Sequence, residues 1–155
     1  MPADYWFVEL SGMPMGIGND MLLHMTDNKR RGMLFGMTPR GFWPMWKLWD
    51  SFGITDSEMF GFWEADPVIS TDHEEVYVTT YIKQGKVLVV IGNWLDKPVE
   101  VRLNIDWERL GLDPLSVSYT APHIDDYQTE KTYKAGEPFP VPAKGDLLLL
   151  ISKRE

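Results

Sequence analysis

The chain has 155 residues with 44% hydrophobic and 25% charged side chains, enough for one ordinary domain or two very small ones and too regular for disorder or low-complexity structure. With 23 acidic against 15 basic residues the formal charge is -8, a surface that repels phosphate backbones and argues against a nucleic-acid partner. No cysteine is present, which removes disulfides, thiolate metal sites and cysteine nucleophiles together.

The N-terminus has Asp4 and Glu9 around its first apolar run and no basic segment before it, so it does not read as a signal peptide. The longest apolar runs, residues 87–91 and 147–151, fall far short of the roughly 20 residues that span a bilayer, and no membrane partner is expected. The composition shifts near Pro67. All nine methionines and five of the seven tryptophans precede it, and β-branched alternation follows it. Charge does not separate the two parts. Residues 1–66 and 67–155 are therefore read as two units.

In the first unit, residues 5–10 and 33–37 read as short buried strands, with one or two helical turns over 19–25. Pro44 stands where a helix tolerates it best, and Met45, Leu48, Trp49 and Phe52 recur at helical spacing until Gly53. Thr55 or Asp56 is expected to cap a further brief helix toward Phe60. Two strands with helices between them leave sheet edges open, so this unit reads as incomplete.

The second unit alternates clearly. Val76, Val78, Thr80 and Ile82 face one way, Gln84-Gly85 makes a turn, and residues 86–94 form a strand buried on both faces. Val99, Val101, Leu103 and Ile105 define a strand with one wet face. Asp106 caps a single helical turn that Gly111 ends. Leu115, Val117 and Tyr119 mark another strand, a looser stretch includes one near 128–133, and the proline-studded residues 138–142 lead to a last buried strand at 147–151. Six or so short strands at close turn spacing predict an antiparallel β-sandwich.

Several patterns bear on chemistry. Gly12, Gly16 and Gly18 lack the glycine at 21 that a dinucleotide fingerprint requires, because Met21 stands there, and no cofactor motif survives. Asp72, His73, Glu74 and Glu75 would splay to opposite sides of a strand, and His123 with Asp125 and Asp126 lacks a third partner; both sets read as solvated loops rather than metal sites. His24 reads as a packing histidine, and no serine lies in a nucleophile-elbow context. Glu9 and Arg40 end the two predicted strands of the first unit, where barrel folds place working groups. They hold a polar ligand or each other, with the mutual salt bridge the plainer reading. Trp43 precedes the helix in the loop Gly41-Phe42-Trp43, and an indole face there suits stacking on a sugar, although burial against the sandwich is as good an account. No pair of carboxylates presents itself for glycoside hydrolysis, so no catalytic residue is assigned.

The succession Arg31-Gly32-Met33-Leu34-Phe35-Gly36-Met37-Thr38-Pro39-Arg40, then Trp46-Lys47-Leu48-Trp49-Asp50-Ser51-Phe52-Gly53-Ile54, then Glu58-Met59-Phe60-Gly61-Phe62-Trp63 and Pro67-Val68, resembles the C-terminal region of bacterial proteins similar to glycoside hydrolase family 123. Ile91-Gly92-Asn93-Trp94, Ile105-Asp106-Trp107, Leu110-Gly111-Leu112-Asp113 and Lys144-Gly145-Asp146-Leu147-Leu148 fit the same pattern. The resemblance implies a mainly β chain, with a C-terminal antiparallel β-sandwich preceded by a short α/β segment like the last strands and helices of a (β/α)8 barrel. It implies removal of N-acetylgalactosamine from β-linked glycans by an adjacent Asp-Glu pair, with the substrate's acetamido group as nucleophile. That pair belongs to an earlier barrel strand. Asp125-Asp126 does not match it, so no catalytic residue carries over, and Glu9, Arg40 and Trp43 remain as candidate substrate-binding residues.

The expectation is thus a supporting, catalytically silent portion of a glycoside-hydrolase-like protein, without cofactor or metal. A carbohydrate-binding module is the alternative, and a third reading is an interaction domain that dimerises through exposed strands. The partners to be tested are accordingly a carbohydrate, a second copy of the chain, or the remainder of a larger hydrolase.

Overall fold

A computed structural model describes residues 33–34 and 43–154. Helix α1 (Trp43–Phe52) leads through a 3-10 turn (Ile54–Asp56) to strand β1 (Glu58–Phe60). Strands β2 (Ile69–Thr71), β3 (Val76–Lys83), β4 (Lys86–Asn93), β5 (Val99–Val101) and β6 (Leu103–Ile105) follow, then the short helix α2 (Trp107–Leu110). The chain closes with β7 (Val117–Ala121), β8 (Lys131–Tyr133), β9 (Phe139–Val141) and β10 (Asp146–Lys153). Six strands make one antiparallel sheet in the order β1-β3-β4-β10-β7-β8, and the two-stranded ribbons β2-β6 and β5-β9 form the opposing layer. Among the described residues no helix is long and apolar enough to cross a membrane.

The apolar runs explain the centre of the sheet. In β4, Val87, Val89 and Ile91 point into the sandwich, while Leu88 and Val90 point to the opposite face, and all five are at most 1% exposed. In β10, Leu147, Leu149 and Ile151 point inward and Leu148 outward, in register with β4 so that Leu149 meets Val89 and Leu148 meets Val90. Both strands are buried on two faces, as their lack of alternation predicts. Their inner side chains pack on Ile69, Val101, Leu103, Phe139 and Val141 of the ribbons.

The hairpin β3-β4 closes through Gln84-Gly85, with Lys83 opposite Lys86 and Gly85 at a φ of 80°. Asp106 caps α2 by accepting a 3.1 Å hydrogen bond from the Arg109 N–H, and Gly111 ends that helix at a φ of 62°. The segment from Val99 to Ile105 departs from expectation. It is read from sequence as one strand but breaks at Arg102, so that β5 pairs with β9 and β6 pairs with β2. The Arg102 N–H donates to Asp72 Oδ1 at 2.9 Å and its carbonyl accepts from the Asp72 N–H at 3.3 Å, and these bonds prolong the β2-β6 ribbon past the break.

Other corrections are local. Glu58–Phe60 is an edge strand on β3, not helix, because Ser57 turns to extended backbone after the 3-10 turn. Met33 and Leu34 have 3-10 helical backbone rather than the extended form expected for them. Leu115 is 84% exposed and lies outside β7, in a turn where its N–H donates to Asp113 Oδ1 at 3.0 Å. The proline-rich stretch contains β9, with Pro140 opposite Glu100.

The outer face of the large sheet is covered as well. Met45 and Phe52 of α1, with Met33 and Leu34, form a second apolar cluster over Tyr81, Leu88, Val90, Ile124 and Leu148. Polar anchors fix this cover. The Thr79 hydroxyl donates to the Leu34 carbonyl and the Tyr81 hydroxyl to the Met33 carbonyl, each at 2.6 Å.

Candidate functional site

Of the three residues singled out for substrate binding, Glu9 and Arg40 lie outside the described residues. Trp43 is the first residue of α1, one residue into the helix from the loop position expected for it, and 64% of it is exposed. The helix is oriented by Met45 and Phe52, which are 0% and 2% exposed against the sheet, so the neighbouring side at Trp43 and Lys47 is left to solvent. Gly53 takes over at a φ of 76°, and its N–H closes the last turn on the Trp49 carbonyl at 2.8 Å. Trp46 meets Trp43 edge to face, with ring centroids 4.7 Å apart and planes at 70°. That contact steadies the Trp43 ring while leaving much of it open.

Next to this helix face runs a cleft of about 430 Å³, between Pro44, Lys47, Leu48 and Ser51 of α1 and the segment that joins β7 to β8. From that segment Pro122, His123, Ile124, Asp125 and Glu130 complete the wall. His123 Nε2 and Asp125 Oδ1 are 3.1 Å apart, both largely exposed, so the imidazole and the carboxylate orient one another without being sequestered. The segment is tied back to the sheet by Gln128, whose side chain donates to the carbonyls of Pro122 at 2.8 Å and Leu148 at 3.0 Å and accepts from the Leu148 N–H at 3.0 Å.

A second aromatic group lies elsewhere. Trp63, 45% exposed, stands edge-on to Phe62, which also contacts Tyr77 and Trp94. Phe62 and Tyr77 line a small cleft of about 160 Å³ with His73 and Ile69. His73 itself is engaged at 2.9 Å with the Glu100 carbonyl, and Asp72 Oδ1 accepts from the Arg102 N–H, so two residues of the run 72–75 brace the turn between β2 and β3. Among the described residues no three His, Asp or Glu side chains are grouped to hold a metal ion.

Three tyrosines have displaced titrations. Burial pushes the Tyr81 phenol far up, and pushes Tyr119 up to about 12 against a lowering hydrogen bond with the Gly136 backbone. Tyr133 is raised by burial first and by the Glu100 charge second. All three shifts keep a phenol protonated, which suits the structural hydrogen bond that Tyr81 makes, and none creates a proton carrier near neutral pH.

Lys47 and Glu130 escape sequence reasoning, because they come to one cleft only when α1 and the β7–β8 segment pack on the same sheet face. His123 and Asp125 read as surface residues, and they are exposed; the cleft they border is tertiary. Residues 41–152 match the family description "Glycoside hydrolase 123, C-terminal domain", and residues 1–41 match "Glycoside hydrolase 123, TIM-barrel domain". No curated protein matches the chain.

Proposed function

The chain belongs to glycoside hydrolase family 123, and from that premise we propose that it is the C-terminal portion of a glycoside-hydrolase-like protein, bracing the catalytic barrel and inactive by itself. One observation carries the bracing role. Met33 and Leu34 fall within the stretch that matches the barrel description, and both are fully buried on the outer face of the sandwich, hydrogen-bonded through Tyr81 and Thr79. A sheet whose outer face is apolar at Leu88, Val90 and Leu148 needs such a cover, and the barrel-derived segment supplies part of it.

The inactivity rests on chemistry. The acetamido-assisted reaction expected of this family uses an adjacent Asp-Glu pair, and in this sequence no aspartate is followed directly by a glutamate. A β-linked N-acetylgalactosaminide with a chromogenic leaving group should therefore release no more chromophore with the chain than with buffer. Reproducible turnover by the purified chain would overturn the proposal.

The exposed indoles favour a second reading, carbohydrate binding without hydrolysis. Trp43 and Trp63 are 64% and 45% exposed, and an indole face is a stacking surface for sugar C–H groups. Quenching of tryptophan fluorescence by added oligosaccharide, at constant hydrolytic silence, would support it.

A further inference from the structure

We propose that the cleft between α1 and the β7–β8 segment is a glycan-binding groove, with Trp43 as its stacking platform and Lys47, His123, Asp125 and Glu130 as its hydroxyl-binding groups. The proposal deepens the carbohydrate-binding reading, on which it rests, by assigning one place and one set of side chains to it.

Three features of the place point to a neutral, polyhydroxylated ligand. The first is size. About 430 Å³ lies within the roughly 300–1,000 Å³ of small-ligand sites, enough for a short saccharide. The second is the pairing of an aromatic surface with polar groups. Trp43 and Lys47 are four residues apart on one helix, hence on the same face, so the exposed indole lies one turn before the Lys47 that lines the groove, and stacking there would extend the groove by one sugar. The edge-to-face contact with Trp46 holds the ring, which reduces the ordering cost of stacking.

The third feature is charge. One ammonium, one imidazole and two carboxylates give a mixed set of donors and acceptors rather than a field of one sign. A phosphate-bearing ligand would meet Asp125 and Glu130, and a polycation would meet Lys47. Hydroxyl groups, which donate and accept, suit all four. The cleft near the other exposed indole, Trp63, is less well furnished: it measures about 160 Å³ and its histidine is already engaged with the Glu100 carbonyl.

The test is calorimetric titration of the whole chain with two probes, a β-linked N-acetylgalactosamine oligosaccharide and cellotetraose. Wild-type protein should give saturable heat with at least one probe. Trp43→Ala should weaken that binding about ten-fold or more, Asp125→Ala should weaken it measurably, and Trp63→Ala should titrate like wild type. Unchanged affinity in Trp43→Ala overturns the groove. If Trp63→Ala alone abolishes binding, the groove is wrong and the carbohydrate-binding reading stands. Absence of saturable heat with both probes overturns the two together, and leaves the bracing role, which rests on the burial of Met33 and Leu34, unaffected. Should Trp43→Ala fail to give the wild-type circular dichroism spectrum, Asp125→Ala and Glu130→Ala decide, and wild-type affinity in both overturns the groove.

Discussion

Gln128 shows how one side chain can complete a sheet. Strands β7 and β10 pair from Val117 opposite Lys153 to Thr120 opposite Leu150. Carried on by two residues, the same register would set Leu148 opposite Pro122, which has no N–H to give. The Gln128 amide takes that place, accepting from the Leu148 N–H and donating to the Leu148 carbonyl, each at 3.0 Å, and donating to Pro122 at 2.8 Å. A primary amide is the right group because it presents a donor and an acceptor side by side, as a peptide edge does. Gln128→Ala removes all three bonds and leaves both Leu148 backbone groups unpaired beside a core strand. We expect a loss of about 1–3 kcal/mol in urea unfolding. If the variant unfolds at the wild-type midpoint, the amide is not the sheet's missing neighbour. The same substitution loosens one wall of the groove, since Gln128 anchors the segment that carries His123 and Asp125.

At the scale of elements, α1 was legible to the residue at its C-terminal end. Phe52 and Met45 lie on the stripe that the spacing gives, and Gly53 stops the helix in the left-handed region, at a φ of 76°. An L side chain there is strained by about 1–2 kcal/mol, and a Cβ would also push the end of the Lys83 side chain aside. Gly53→Ala should lower the thermal midpoint by that cost without altering the fold. A neutral result would mean that the turn after α1 relaxes freely. Strands β4 and β10 were legible because five consecutive apolar residues admit few other uses. Strands β2 and β9 were not, being three residues each, paired only to the halves of a run that breaks at Arg102. Neither that break nor the exposure of Leu115 is written in periodicity; both follow from hydrogen bonds to Asp72 and Asp113. The candidate site divides in the same way. Trp43 stands out in the sequence by its place in the loop read before the helix, whereas His123, Asp125 and Glu130 come about 80 positions later and reach the side of α1 only through the sheet that both segments cover.

At the scale of the whole molecule, the large sheet serves two apolar layers at once, and the neighbours Leu148 and Leu149 sample one each. Leu149 packs in the sandwich interior with Val89 and Ile91; Leu148 packs outside it with Leu88, Val90, Met33 and Leu34. Both are 0% exposed, so truncation of either to alanine removes the same atoms from equally dry surroundings and should cost about 2–5 kcal/mol. Their comparison tests whether the outer cover is part of the cooperative fold. If residues matching the barrel description are integral to the sandwich, Leu148→Ala and Leu149→Ala will each unfold in one transition, seen identically by tryptophan fluorescence and far-ultraviolet circular dichroism. An outer layer that merely rests on the sheet gives a different result. Leu148→Ala would then cost little, or would split the transition, with the α1 tryptophans reporting an early loosening while the strands persist. That second outcome would remove the physical basis for bracing, because a sandwich that does not depend on its cover cannot transmit its stability to it.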